Sequence, residues 1–393
     1  MDEGMLAFCD EELDRLEQQG LRRTLRTLQE AQSTVAVIDG RRILLFASND
    51  YLGLANHERI RGAARRAIEQ YGVGAGSARL ICGHTDLHRA LEKSIAAFKS
   101  CEDALLFSSG YLANIGTIPV LVGEGDAIFS DALNHASIVD GVRLAKADRF
   151  VYAHCDVEEL DRLLAEHRRR SPDARRLVIT DTVFSMDGDL APLPKIVDCC
   201  RRHSALLMVD EAHATGVVGP DGRGGVAHFG LEGRVPIVMG TLSKALGAAG
   251  GFVTGSSRLC EFLRNKARGF IFDTALPPAM VAAASEALQM LHEDTQRGTR
   301  LLEQTRSVAA RLVAIGYSVG EPDAAIVPVH CGASGKALAF SRRLLEEHGI
   351  LVPAIRPPTV PEGGARLRLT LSTAHDEDQI AALLHAFESG RVA

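Results

Sequence analysis

From residue 103 to residue 210 the chain repeats one pattern: a short apolar run, a small polar turn, then a stretch with helical spacing. Runs at 103–107, 127–129, 149–152, 177–180 and 205–209 read as strands. The segments from Leu112 onwards and at 135–145, 157–167 and 193–200 read as helices. Strands alternating with helices specify a mostly parallel α/β sheet covered on both faces. Such a sheet binds ligands beyond the carboxyl ends of its strands, so polar residues placed there are candidates for chemistry. A chain of 393 residues, 46% hydrophobic and 24% charged, can build that sheet and a second, smaller domain.

Outside this region the periodicities differ. Residues 1–35 place Leu13, Leu16, Leu21, Leu25 and Leu28 at helical spacing, which predicts an amphipathic helix or helix pair. Runs at 35–38 and 43–46 around Asp39-Gly40 predict a hairpin. Residues 85–98 read as a helix, and 235–239 and 252–254 as strands flanking a glycine-rich turn. Past Pro277-Pro278 helices are expected at 279–292, 299–315, 336–348 and 376–388, with strands at 326–329 and 366–371. The expected division is an N-terminal helical and hairpin segment at 1–48, a large α/β domain at 49–280 and a small α+β domain at 281–393.

A net charge of −6 gives no basis for a nucleic-acid or anionic-membrane partner. No apolar run reaches membrane-spanning length, and the N-terminus lacks the basic-then-apolar order of a signal peptide. Eight cysteines (Cys9, Cys82, Cys101, Cys155, Cys199, Cys200, Cys260 and Cys331) are scattered without Cys-x-x-Cys spacing. That suits thiols in a reducing compartment better than disulfides or a zinc site. A cytoplasmic protein is expected.

Lysine is scarce, and of the seven in the chain only Lys244 is walled by glycine, alanine and leucine. A lysine held away from water loses its preference for charge and becomes a usable nucleophile or base. A solvated turn lysine is the plainer alternative. Thr241 three residues earlier and the surrounding glycines favour the functional one.

Asp210-Glu211-Ala212-His213 ends the apolar run 206–209. A carboxylate there is costly unless it meets a cation, and a pyridinium nitrogen would be such a partner. His213 could reach a neighbouring ring substituent. A metal pair is disfavoured, because no further ligand at suitable spacing completes it. Ser109-Gly110-Tyr111 sets backbone amides at a helix start, equally an anion site or a capped helix. The glycine-rich stretch 71–79 lacks the order of a nucleotide cradle and is better taken as a loop near a ligand. His135 opens a helix at another strand end, where its ring is structural or stacks on a planar cofactor. Arg366 and Arg368 share a strand face; one of them could clamp a carboxylate, although solvated strand arginines are the usual case. An amine, an acid for a pyridinium, a stacking histidine and a phosphate site are together the parts of a pyridoxal 5'-phosphate (PLP) enzyme.

Four motifs in order carry a family resemblance: Ser48-Asn49-Asp50-Tyr51-Leu52-Gly53, Phe184-Ser185-Met186-Asp187-Gly188-Asp189, Asp210-Glu211-Ala212-His213 and Thr241-Leu242-Ser243-Lys244-Ala245-Leu246-Gly247. They resemble the α-oxoamine synthases, PLP-dependent acyltransferases of the aspartate-aminotransferase fold (fold type I), and the similarity runs from residue 20 to the end. Arg356-Pro357-Pro358-Thr359-Val360-Pro361 and Arg366-Leu367-Arg368-Leu369-Thr370 most resemble the members that join L-alanine to a pimeloyl thioester in biotin synthesis. The carrier, coenzyme A or acyl carrier protein, stays open, and glycine-using sister enzymes are similar. The resemblance implies a homodimer with Lys244, His135, Asp210 and His213 as its catalytic set. Lys244 would carry the cofactor and move the substrate Cα proton. Asp210 would hold the pyridinium nitrogen, His213 and Ser185 the ring oxygen side, and His135 the ring face and adjoining substrate. Gly110, Tyr111 and Thr241 would hold the phosphate, with Thr274 reaching it across the dimer. Arg368 would take the amino-acid carboxylate beside Asn49, while Thr359 and Arg23 (or Arg22) would contact substrate. Ser243 departs from the family pattern, where glycine is common. A catalytically inactive scaffold of the same fold is the alternative of another class, and Lys244, Asp210 and His213 together speak against it.

Overall fold

β1 (Val35–Ile38) and β2 (Arg41–Leu45) form the expected hairpin, turned by Asp39 and Gly40 at φ 51° and 74°. Positive φ at both turn residues matches the strand twist, and an Asp-Gly pair adopts it readily. The central sheet is built from β3 (Asp103–Phe107), β4 (Ala127–Asp131), β5 (Asp148–Tyr152), β6 (Arg176–Asp181), β7 (Leu206–Asp210), β8 (Ile237–Thr241) and β9 (Gly251–Gly255). Their spatial order is β3-β9-β8-β7-β6-β4-β5. The run from β8 to β5 is parallel, while β9 lies antiparallel between β3 and β8. The structure, a computed structural model, describes residues 3–390. The first two residues of the expected N-terminal segment and the last three of the C-terminal one lie outside that range.

β4, β6, β8 and β9 are buried along their whole length, as a sheet covered on both faces requires. Alternate residues serve opposite faces. Ile128, Leu177, Ile179 and Met208 join one buried cluster with the helix Gly110–Leu121. Phe129, Val178, Leu207 and Val209 join another with the helices Val157–Arg170 and Leu193–Arg202. Each such side chain contributes about 1.5–3 kcal/mol relative to exposure. Pairing Asp181 with Asp210 in register aligns the carboxyl ends of β6 and β7, so the polar residues that follow converge.

Beyond the central sheet, β10 (Ile326–Gly332), β12 (Ala354–Ile355) and β13 (Ala365–Thr370) make an antiparallel sheet in the order β10-β13-β12. β11 (Ile350–Leu351) pairs in parallel with β2, so the N-terminal hairpin continues into a C-terminal strand. One buried cluster spans Phe46, Tyr51, Leu246, Leu291, Leu367 and Phe387, welding these parts together.

Three local expectations are corrected. The N-terminal helix covers only Ala7–Gln18 and buries no residue. Leu25 is 100% exposed, so it gains none of the roughly 2 kcal/mol that would hold a helix through residues 21–28. The helix after β3 starts at Gly110, two residues before Leu112, because Ser109 caps it by accepting a hydrogen bond from the Leu112 N–H at 3.0 Å. The glycine-rich loop ends in a π-helical turn, Arg79–Gly83, which no spacing announced.

Candidate active site

Lys244 follows the carboxyl end of β8 in a turn closed by Thr241. The Thr241 hydroxyl donates to the Gly250 carbonyl at 2.9 Å and accepts from the Ser243 N–H at 3.2 Å. Lys244 is half-buried, and desolvation pushes its ammonium below the usual lysine range. Asp210 and Asp181 oppose that shift, while Arg368 adds to it. One amine thus lies within the field of two carboxylates and a guanidinium.

Asp210 terminates β7 and is 3% exposed. Its Oδ1 accepts from the Ala212 N–H and its Oδ2 from Asn114 Nδ2, both at 2.8 Å. Asn114 lies one turn into the helix Gly110–Leu121, fully buried, and its Oδ1 has no partner among the described residues. His213 sits just beyond, with Nδ1 2.5 Å from the Tyr51 hydroxyl. Burial holds its imidazole well below the ordinary range, assisted by Lys244, Arg368 and His135. His135 caps the helix Ala136–Leu144, and its own N–H is held by Asp181 Oδ2 at 2.8 Å. Burial lowers its pKa as well; Asp210 works against this and Lys244 with it. Asp181 is pushed up by burial and by its neighbour Asp210.

Arg368 reaches this cluster from β13. Its Nε donates to the Ser185 carbonyl at 2.5 Å, and Nη1 and Nη2 each lie 3.3 Å from Asn49 Oδ1. Thr370 and Tyr51 hydroxyls complete its contacts at 3.2 and 3.4 Å. All these partners are neutral. Its strand neighbour Arg366 instead meets a carboxylate, Asp187. Strand periodicity could not separate the two arginines; the structure does, since a buried guanidinium without an acid partner is a site for an incoming carboxylate.

At the opposite end of the cluster, Gly110 opens its helix against Thr241. A Cβ on Gly110 would stand 3.1 Å from Met239 Cε and 3.4 Å from Thr241 Cβ, and one on Gly251 only 2.6 Å from the Gly110 N. These two glycines let the helix start settle directly on β8 and β9, which leaves its first amides for an anion. Tyr111 is half-exposed, its hydroxyl donating to Asp140 Oδ2 at 2.5 Å.

Lys244, Asp210, His213, His135, Ser185, Asn49 and Arg368 are therefore drawn together, with Gly110, Tyr111 and Thr241 along one border. Arg23, Thr274 and Thr359 are exposed and share no hydrogen bond or ion pair with that cluster. Thr274 is tied to Ser108, which donates to its carbonyl at 3.2 Å. Asn114, Ser137 and Asp181 escaped the sequence reading. Only Asp181 had a readable signal, an acid closing an apolar run as Asp210 does.

The donor set fits PLP. A buried carboxylate suits a pyridinium, two desolvated imidazoles suit a planar ring, and helix amides over packed glycines suit a phosphate. The orphaned Asn114 Oδ1 marks the same floor as built for a polar occupant.

The comparisons agree with this chemistry. Residues 41–387 match the aminotransferase class I and II family. The chain is 50% identical over 374 residues to the 8-amino-7-oxononanoate synthase of Geobacter sulfurreducens, covering 94% of each chain. A serine palmitoyltransferase variant from S. paucimobilis, solved with a PLP–myriocin adduct, superposes with a TM-score of 0.92 at 32% identity, over 99% of this chain and 98% of that one. The 8-amino-7-oxononanoate synthase from Francisella tularensis gives a TM-score of 0.76 at 29% identity, over 88% and 97%. With that fold, these motifs and these relatives, the chain belongs to the class I and II aminotransferase family of PLP-dependent enzymes, in its α-oxoamine synthase group.

Proposed function

We propose that the chain catalyses the decarboxylative condensation of L-alanine with a pimeloyl thioester, yielding 8-amino-7-oxononanoate, CO2 and the free thiol carrier. The observation that carries this reading is the desolvated Lys244 amine between Asp210 and the acid-free guanidinium of Arg368. The named relatives supply the choice of substrates.

PLP attached through Lys244 supplies an electron sink that acidifies the Cα–H of the bound amino acid. Asp210 would hold its ring nitrogen, His135 its face, His213 and Ser185 the side of the ring oxygen, and Gly110, Tyr111 and Thr241 its phosphate. A homodimer would add Thr274 of the partner subunit at that phosphate. Arg368, held in place by Ser185 and Asn49, clamps the alanine carboxylate and orients the Cα–H towards Lys244. Lys244, freed and poorly solvated, takes that proton as general base. It returns a proton to the same carbon after the new C–C bond has formed, the C–S bond has broken and the carboxylate has left as CO2. Arg23 and Thr359, exposed at the rim, would meet the acyl chain or its carrier. Among the described residues no helix is long and apolar enough to cross a membrane. The cytoplasm is the proposed place for this synthesis.

The test is a paired assay: alanine with pimeloyl-coenzyme A against glycine with acetyl- or succinyl-coenzyme A, and serine with palmitoyl-coenzyme A. The alanine pair should give the highest kcat/KM. A higher value for either competing amino acid overturns the substrate assignment and leaves the cofactor and Lys244 assignments in place.

A further inference from the structure

His135 does two jobs at once: it caps the helix Ala136–Leu144 and stands in the field of Asp210 and Lys244. The capping geometry limits what its ring can be. The Ser137 backbone N–H points at His135 Nδ1 at 3.2 Å, and Ser137 Oγ lies 2.8 Å from the same nitrogen. A backbone N–H can only donate, so Nδ1 must accept. A neutral ring that accepts at Nδ1 carries its hydrogen on Nε2. Protonation of the ring would place two N–H groups head to head.

The serine is itself directed. Asn114 Nδ2 donates to Ser137 Oγ at 2.9 Å and to Asp210 Oδ2 at 2.8 Å. Asn114 cannot be turned the other way, because a carboxylate oxygen needs the amide nitrogen and would repel the amide oxygen. Because Nδ1 accepts, the Ser137 hydroxyl gives its own hydrogen to that nitrogen while its oxygen accepts from Asn114. Every link in the chain from Asp210 through Asn114 and Ser137 to His135 therefore has one sense. Asn114, Ser137 and Asp210 are all buried, so water does not compete for these bonds.

We propose that Asn114 and Ser137 are positioning residues that lock His135 in its neutral Nε2–H tautomer and tie that choice to the carboxylate of Asp210. The inference deepens the proposed function and rests on it for the use made of His135: a fixed Nε2–H donor over the reacting centre. The charged groups acting on the ring are Asp210 on β7, Lys244 beyond β8 and Asp140 on its own helix, with Asp181 of β6 on its backbone N–H and the neutral His213 nearby. Attractions from the acids would favour a second ring proton; burial opposes it, and the Ser137 hydroxyl and N–H both occupy its place at Nδ1.

The experiment reads ring 15N shifts in the PLP-loaded, histidine-labelled enzyme, with His135 assigned by its loss in His135→Asn. In the wild type His135 should show one form, hydrogen on Nε2 and none on Nδ1, unchanged through the neutral pH range. Ser137→Thr, which keeps the hydroxyl, should retain that form. Ser137→Ala leaves Nδ1 only the longer 3.2 Å bond from the backbone N–H, and Asn114→Ala frees the Ser137 hydroxyl to turn away. In both, a second population with hydrogen on Nδ1 should appear beside the first, and the pH transition of cofactor absorbance should shift. A hydrogen on Nδ1 in the wild type overturns the proposal without any variant. So does an unchanged His135 signature in both Ser137→Ala and Asn114→Ala. The signature is read without amino acid or thioester, so failure of the substrate assay and failure of the tautomer lock remain separate results.

Discussion

The Tyr51 hydroxyl lies 2.5 Å from His213 Nδ1 and 3.4 Å from Arg368 Nη2, so one phenol joins the imidazole that follows β7 to the guanidinium of β13. Burial keeps His213 neutral, and the same phenol oxygen accepts from Arg368 Nη2 while its hydroxyl also lies 3.3 Å from Asn49 Oδ1. Two sheets that are separate in hydrogen bonding thus meet at a single oxygen.

Tyr51→Phe should cost about 1–3 kcal/mol of stability, because His213 Nδ1 is left buried and unpaired. The KM for the amino acid should rise, since Arg368 loses one of the contacts that orient it. Denaturant midpoints and amino-acid saturation curves measure the two effects. A variant matching the wild type in both would refute this role.

Lys244→Met should remove turnover by at least a thousandfold, the order expected when a general base is lost, and more because the cofactor attachment goes with it. Stability should move the other way. A lysine whose folded pKa is lowered binds its proton less readily in the folded state, so it opposes folding below its folded pKa. That opposition fades as pH rises through the folded value towards the unfolded one. Cofactor-free Lys244→Met should therefore be more stable than the cofactor-free wild type at neutral pH, with the gap narrowing in alkali. Thermal unfolding across pH checks this; a wild type that is the more stable of the two at neutral pH contradicts it.

Asp210→Asn keeps an oxygen for only one of its two donors, Asn114 and Ala212, and removes the charge facing the cofactor nitrogen. Cα-proton exchange of alanine in deuterated water should slow on the order of a thousandfold, equivalent to about 4 kcal/mol of barrier. Exchange at the wild-type rate would sink the role given to Asp210.

Most strands of the central sheet could be read because their apolar runs are buried on both faces and stop at a polar residue; β5, at the sheet edge, is largely exposed. Lys244, Asp210 and His213 were visible for the same reason, as polar groups at the end of apolar ones. What could not be read depends on contacts between distant segments. β9 is antiparallel, yet a buried antiparallel strand and a buried parallel one share the same apolar run. Leu21, Leu25 and Leu28 carry helical spacing without a surface to bury it, so no helix forms there. Asn114 and Ser137 look like ordinary helix residues in sequence; only the fold brings them between Asp210 and His135. Strand spacing alone does not tell Arg366 from Arg368, which the resemblance singled out; the pairing of Asp187 with Arg366 does.

His154 gives the sharpest pH test. Its Nδ1 lies 3.1 Å from Asp131 Oδ1 and its Nε2 2.9 Å from Asp189 Oδ2, with the ring edge-on to Phe184 at 4.3 Å. Burial alone would lower its pKa, but hydrogen bonds to the two carboxylates outweigh this and raise it to about 12. A histidine with a raised folded pKa contributes stability that is fully present below the unfolded value of about 6.5 and is lost as pH climbs through the folded one. The stability difference between wild type and His154→Gln should therefore be flat in mild acid. Above neutrality it should shrink by up to about 1.4 kcal/mol per pH unit. The imidazolium also pins the loop that carries Ser185, whose carbonyl fixes Arg368 Nε. In His154→Gln the KM for the amino acid should rise more than kcat falls, because the clamp loosens while Lys244 and Asp210 are untouched. A stability difference independent of pH would show that folding does not raise the His154 pKa, and the loop would then have to be held by its other contacts, among them the backbone bond between Phe184 and Asp189.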